Sequence, residues 1–262
     1  MDCIKCLIEI EIRFMSRCVN VWESIVSNFA RCHHGAFRPK NEMIPKQRIL
    51  VIRHAESVWN VLRQQYPNPE DRYHPRMWTI DCDITEKGVQ QAHAAGKELA
   101  KDIGSVDLLV ISPLRRALQT ASLLLEAFST QPAQVLISSD ATELMTDPCD
   151  IGSNPKNLAK EFPAWDFSHL DENWWHGGKS QDETLTLMRD HKGLESDEEA
   201  EMRINRFKNW LRKISAEAGQ NIVIVCHGDF IWWLTRDLQN DTKQGLRLGN
   251  CEIVDVTSYI HC

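Results

Sequence analysis

Three short apolar runs, Ile49 to Ile52, Leu108 to Ile111 and Ile222 to Val225, constrain this chain more than any other feature, because each gives way at once to polar residues and then to a helical pattern. A hydrophobic run that does not alternate has both faces buried, which marks a parallel strand covered by helices. The segments that follow are Arg53-His54-Ala55-Glu56-Ser57, Ser112-Pro113-Leu114-Arg115-Arg116 and Cys226-His227-Gly228-Asp229. In open α/β sheets, ligands bind just outside the carboxyl ends of the strands, so these are the candidate binding loops.

Helix starts are legible between the runs. Thr85 precedes a periodic stretch ending near Ala100, and Ser112 with Pro113 reads as the N-cap and first turn of a helix reaching about Ala127. Asn154-Pro155 opens a short helix through Glu161, and Ser196 with Glu199 reads as a capping box for a long helix ending around Ala218. Residues 250 to 256 alternate like an edge strand. The order predicts a three-layer α/β/α sandwich with a mostly parallel central sheet and a helical lid insertion.

At 262 residues and 42% hydrophobic content, one sizeable core suffices. The expected division is a poorly ordered N-terminal extension, residues 1–45, and one catalytic domain, residues 46–262. A net charge of −7 leaves no broad basic face for nucleic acid. Nine cysteines, an odd count without even spacing, fit free thiols in a reducing, cytoplasmic setting. Lys5, Glu9, Glu11 and Arg13 interrupt the opening residues too early for a signal peptide or a membrane span. Cys3, Cys6, Cys32, His33 and His34 are zinc-type ligands, but their spacing is longer than common zinc modules use, so no metal is expected.

The chemistry rests on convergence. His54, Arg116 and His227 each lie just beyond a different predicted strand, with Arg53 beside the first, and would meet at one edge of the sheet. Helix starts at these points add unpaired N–H groups and a positive dipole end, which favour a phosphate.

At this point the residues resemble a known family. Arg53-His54-Ala55-Glu56-Ser57-Val58-Trp59-Asn60 is similar to the R-H-G-E-S-x-W-N signature of the histidine phosphatase superfamily, which includes cofactor-dependent phosphoglycerate mutases. Asp81 to Ala92 resembles the family's D-x-x-L-T-x-x-G-x-x-Q-A, Ser112 to Ala121 its S-P-L-x-R-A-x-Q-T-A, and His227-Gly228 its late H-G. The resemblance implies that His54 attacks phosphorus and forms a phosphohistidine that water later hydrolyses. It implies a phosphate-binding set of Arg53, Asn60, Arg116, protonated His227 and Gly228, and no cofactor or metal. It also implies a carboxyl group opposite the nucleophile, for which Glu143 is the choice and Asp147 and Asp150 are the alternatives.

This chain departs from the family pattern at Ala55, where the family has glycine, and at Ala141-Thr142-Glu143, which lacks the usual leucine. Leu144 and Met145 follow Glu143, where the mutases carry an arginine and a tyrosine-glycine pair that help bind a phosphoglycerate carboxylate. The leading expectation is therefore a metal-independent phosphomonoesterase acting on a small phosphorylated metabolite. A mutase or sugar-bisphosphatase is the second reading, and an inactive phospho-ligand or protein-binding module the third. In the long segment 144–195, Trp165, Trp174 and Trp175 with His169 and His176 suit either a lid over the pocket or cover for a helix or sheet edge. Substrate identity and oligomeric state are not legible.

Overall fold

The computed structural model describes residues 47–68, 74–236 and 244–261. The N-terminal extension and its zinc-type residues lie outside the described residues.

Along the chain run β1 (Arg48–Arg53), α1 (Val58–Gln65), α2 (Glu86–Ile103), β2 (Leu108–Ile111), α3 (Arg115–Leu125), β3 (Gln134–Ile137), α4 (Pro155–Glu161), α5 (Gln181–Arg189), α6 (Asp197–Ser215), β4 (Asn221–Cys226), α7 (Gly228–Thr235), β5 (Ile253–Asp255) and α8 (Thr257–Ile260). The sheet order is β3-β2-β4-β1-β5. All of its pairings are parallel except that of β5, which runs antiparallel on β1 at the edge. The three apolar runs are therefore the three adjacent central strands, and their carboxyl ends lie side by side.

Alternate residues of those strands feed two separate cores. Leu50, Ile52, Leu109, Ile111, Val223 and Val225 pack with Leu99 of α2 and Leu118 of α3. Ile49, Val51, Leu108, Val110, Ile222 and Ile224 pack with Phe207 of α6 and Phe230 of α7. Each such side chain, fully withdrawn from water, contributes roughly 1.5–3 kcal/mol. The result is a sheet between two helical layers, a three-layer sandwich.

Local signals behave as their chemistry requires. Thr85 caps α2 by accepting from Gly88 N at 3.0 Å, and Ser196 and Glu199 close a reciprocal capping box on α6. The Ser112-Pro113 pair differs from expectation: α3 starts at Arg115, with Leu114 at its N-cap position and no side-chain cap. Ser112 Oγ accepts from Leu114 N at 3.3 Å, ahead of the helix, and lies 2.7 Å from His227 Nε2. The carboxylate of Asp81 takes over the capping of α3, accepting from Arg115 N at 2.8 Å. Asp81 does so from a left-handed backbone conformation, φ 39°, uncommon for a residue with a side chain.

Candidate active site

His54 leaves the end of β1 under close constraint. Its backbone N–H donates to the Cys226 carbonyl at 2.9 Å and its carbonyl accepts from Asn250 Nδ2 at 2.9 Å. The next N–H, of Ala55, donates to Thr120 Oγ1 at 3.0 Å. Ala55 keeps φ out of the positive range, so replacing the family's glycine introduces no backbone strain there.

The imidazole is 3% exposed and held from both sides. Nδ1 lies 2.7 Å from the Ala55 carbonyl, which can only accept, so Nδ1 carries the proton and Nε2 the lone pair. Arg116 Nε donates to that lone pair at 3.3 Å. Burial, then the Arg116 charge and more weakly that of Arg53, hold the ring well below the usual histidine pKa, against the pull of the Ala55 carbonyl. A neutral imidazole with its lone pair on Nε2 is a nucleophile once a phosphoryl group takes the place of the Arg116 N–H on that nitrogen.

Arg116 sits in the first turn of α3 and is itself fixed, with Nη1 on the Cys149 carbonyl at 2.7 Å and Nη2 on Asp150 Oδ1 at 2.9 Å. Asp150 Oδ2 accepts from the backbone N–H groups of Thr146 and Asp147 at 3.3 and 3.0 Å. Burial pushes Asp150 up to about 6, with Arg116 pulling the other way. Asp150 is thus committed to Arg116.

Glu143 occupies a different kind of position. It lies at the start of α7, accepting from Phe230 N at 2.9 Å and Asp229 N at 3.2 Å. Burial, followed by the Asp229 and Asp150 charges, raises its pKa to about 7, so near neutrality it is poised between its two forms.

His227 is fully buried, with its ring centroid 5.1 Å from that of His54. Nε2 meets Ser112 Oγ and Nδ1 is buried without a partner. Burial and the charge of Arg116 hold it well below the usual histidine range, as do His54 and Arg53 more weakly. Its surroundings favour the neutral ring until an anion is brought alongside, which would favour the charged one.

A cavity of about 390 Å³ opens over these groups. Arg53, His54, Asn60, Arg116 and Glu143 all line it, as do Asp147 and Asp150. His227 is not among the lining residues. Nor is Gly228; a Cβ there would lie 3.3 Å from Arg53 Nε, so glycine leaves room for that guanidinium, whose Nη1 is anchored on the Leu248 carbonyl at 2.7 Å. Asn60 Oδ1 accepts from Ser57 N at 3.0 Å and Asn250 Nδ2 at 3.1 Å, which fixes the orientation of its amide.

The wall also holds residues that the sequence reading missed, among them Trp59, Arg63, Gln64, Asp229 and Asn250. Arg63 and Gln64 lie three and four positions after Asn60 on α1, a spacing that puts them on one helix face and offered a usable signal. Asn250 carried no such signal, because only the tertiary fold brings it to His54. The aromatic segment behaves differently from a lid. Trp174 and Trp175 are buried in the core, with indole N–H groups on the Ser153 carbonyl at 2.9 Å and Thr184 Oγ1 at 3.3 Å, and Trp165 stacks on Phe162. None of the three lines the cavity, and among the described residues the insertion contributes Thr146, Asp147, Cys149 and Asp150 to its wall. His169 Nε2 donates to the Ile137 carbonyl at 2.8 Å, and His176 lies 3.8 Å from Glu199. Among the described residues no group of three or more His, Cys, Asp or Glu side chains is arranged to hold a metal ion, and no helix is long and apolar enough to cross a membrane.

Over 82 residues the chain is 38% identical to the 2,3-bisphosphoglycerate-dependent phosphoglycerate mutase of Zymomonas mobilis, a match spanning 31% of each chain. Among solved structures it is similar to a phosphoglycerate mutase from Bacillus anthracis, 20% identical with TM-score 0.49, covering 82% of this chain and 89% of that one. It is also similar to a mycobacterial glucosyl-3-phosphoglycerate phosphatase, 21% identical with TM-score 0.48, covering 79% of this chain and 89% of that one. The model of the histidine phosphatase superfamily (branch 1) matches residues 49–260, which include all three strand ends and both histidines. By that match, the chain belongs to the histidine phosphatase superfamily, branch 1.

Proposed function

We propose that this chain, through the domain of residues 46–262, is a metal-independent phosphomonoesterase that hydrolyses a small phosphorylated metabolite through a phosphohistidine on His54. The observation that carries the reading is the state of the His54 ring: a proton fixed on Nδ1 by the Ala55 carbonyl, a lone pair on Nε2 beside Arg116, and Glu143 in the wall of the same cavity.

In the first half-reaction the Nε2 lone pair forms a bond to phosphorus as the bond to the ester oxygen breaks. Arg53, Arg116 and the Asn60 amide hold the equatorial oxygens as charge moves in line. His227, whose ring centroid is 5.1 Å from that of His54, takes up a proton from solvent as the anion binds and adds its charge to the site. Glu143 gives its proton to the leaving oxygen. In the second half Glu143, now a base, takes a proton from water, whose oxygen bonds to phosphorus while the P–N bond breaks. His54 returns neutral and Glu143 protonated, so the cycle closes. A carboxyl group near pKa 7 suits both duties. Asp150 suits them less because it is bound to Arg116.

A mutase is favoured by one observation, the name of the Zymomonas mobilis relative. The two residues after Glu143 weigh against it: Leu144 and Met145 are apolar and face the cores, offering no cation to a phosphoglycerate carboxylate. A cytoplasmic setting goes with the phosphatase reading. The test is hydrolysis of p-nitrophenyl phosphate in a chelator-containing buffer, with acid-quenched capture of a phosphoenzyme. Turnover and label in the wild type, both absent in His54→Ala, are expected; turnover retained by the mutant would overturn the assignment.

A further inference from the structure

Glu143 stands on a stretch of chain that no helix or strand supports. Residues 142–147 belong to neither, so their peptide groups lack a ladder and need partners elsewhere. The Glu143 carboxylate accepts from the backbone N–H groups of Leu144, Asp229 and Phe230 at 3.1, 3.2 and 2.9 Å. Where the main chain on either side of it is tied down therefore decides where the carboxyl group lies.

The tie comes from α6 and the residue that precedes its cap. Just before Glu143, the carbonyls of Asp140 and Thr142 accept from Arg203 Nη1 at 2.9 and 3.0 Å. Just after it, Met145 N donates to Glu195 Oε2 at 3.3 Å and the Met145 carbonyl accepts from Glu195 N at 3.0 Å. Arg203 and Glu195 are themselves joined, Nε to Oε1 at 2.7 Å and Nη2 to Oε2 at 2.8 Å, with side chains 11% and 2% exposed. Neither lines the cavity over His54. Arg206, on the same helix, is the contrasting case: it pairs with the Asp140 carboxylate at 2.6 Å and is 63% exposed.

We infer that Arg203 and Glu195 are positioning residues for the proton donor: their buried ion pair grips the main chain on both sides of Glu143 and thereby sets its carboxyl group against the leaving oxygen. The inference rests on the phosphomonoesterase reading and adds to it two residues that touch no substrate. Desolvation offsets much of the attraction in a buried ion pair, so its worth lies in the geometry that its directed hydrogen bonds impose. Proton transfer depends on that geometry, since a displacement of about 1 Å can cost roughly a hundredfold in rate. Arg203 has one other route to the chemistry: burial holds His227 below its usual range, and the Arg203 charge adds weakly to that. An effect through His227 would slow every ester alike, whereas one through Glu143 grows with the basicity of the leaving oxygen.

The test is kcat/KM for phenyl phosphate against p-nitrophenyl phosphate, esters of similar shape of which the first has the more basic leaving oxygen. This constant covers the steps up to the phosphohistidine, so the later use of Glu143 as a base does not enter. Glu195→Gln keeps the shape and an acceptor for Met145 N but breaks the ion pair. Phenyl phosphate should lose about tenfold or more, and p-nitrophenyl phosphate less than about threefold. With Glu143→Gln already in place, Glu195→Gln should cost phenyl phosphate less than about threefold, because the group it positions has gone. Arg206→Ala should leave the ratio of the two esters within about twofold of the wild type, as an exposed pair contributes little. If Glu195→Gln does not fold, Arg203→Met/Glu195→Met, which removes both charges together, carries the same measurement. Wild-type turnover with a ratio unmoved by the substitution, a ratio moved as far by Arg206→Ala, or an undiminished loss on top of Glu143→Gln overturns the inference and leaves the phosphomonoesterase reading standing. Absence of turnover of both esters in the wild type overturns that reading, and the inference with it.

Discussion

The phosphoryl end of the cavity and its outer end are built in opposite ways. At the phosphoryl end, His54, Arg116 and His227 come from the ends of three adjacent strands, and each has its ring or guanidinium tied to a buried partner. At the outer end, Asp147, Asp229, Arg63 and Gln64 come from a turn and two helix surfaces, and Arg63, Gln64 and Arg247, the ion-pair partner of Asp229, are exposed. The inner end is braced by the sheet and suits a fixed reaction. The outer end can change side chains without disturbing a core, which is where substrate preference is expected to reside.

The largest effect should come from the inner end. His54→Ala removes the nucleophile, and kcat should fall by at least about three powers of ten, each worth about 1.4 kcal/mol of barrier. Steady-state hydrolysis of p-nitrophenyl phosphate measures it, and the melting temperature shows whether the fold persists. A loss of less than tenfold would mean that the braced imidazole is structural.

Glu143 stands between the two ends and should rank next. Glu143→Gln keeps the acceptor that faces the α7 N–H groups but has no proton to exchange, so alkyl phosphates should lose about 10²–10⁴ in rate. p-Nitrophenyl phosphate should lose less, because its leaving group is already a weak base. The sign of the pH dependence follows from the raised pKa. The first half-reaction needs the protonated carboxyl group, so kcat/KM for an alkyl ester should fall as pH rises through about 7, the value to which burial lifts Glu143. That limb should vanish in Glu143→Gln. Its survival would transfer the role to another acid, with Asp150 first in line.

Asn250 tests the bracing itself. Its Nδ2 spans the His54 carbonyl and Asn60 Oδ1, so Asn250→Ala removes two hydrogen bonds, worth about 0.5–1.5 kcal/mol each. We expect roughly a tenfold fall in kcat, larger than any change in KM for a substrate held mainly by arginines. An unchanged kcat would show that the strand end alone positions His54.

How much of this was legible follows the same division. The strand ends could be read because a buried parallel strand leaves a distinct apolar run, and the polar residues that follow it have nowhere to go but the sheet edge. Glu143 was legible only through the family pattern, since nothing local marks a carboxylate that will lie against a helix 85 residues further on. Ser112 differs from its local signal for a related reason: its hydroxyl still accepts from Leu114 N, but the fold also sets it against His227 and starts the helix three residues later, at Arg115. Asp229 and Asn250 were missed because loops and helix faces converge on the cavity by tertiary contact and not by periodicity.

The insertion gives the smallest expected effect and the sharpest check on the comparison. Its tryptophans had the composition of a lid, yet Trp174 is packed into the core, and Gly152 lacks a side chain where the indole passes: a Cβ there would lie 2.1 Å from Trp174 Cζ2. Trp174→Phe keeps an aromatic ring but removes the indole N–H, leaving the half-buried Ser153 carbonyl without that donor. Stability should therefore fall by about 1–2 kcal/mol, read as a melting temperature lower by roughly 2–8 °C. kcat/KM of the folded variant should stay within about twofold of the wild type, because the ring touches neither end of the cavity. A several-fold rise in KM without loss of stability would give the reverse result. It would make the indole part of substrate binding and move the boundary of the outer end into the insertion.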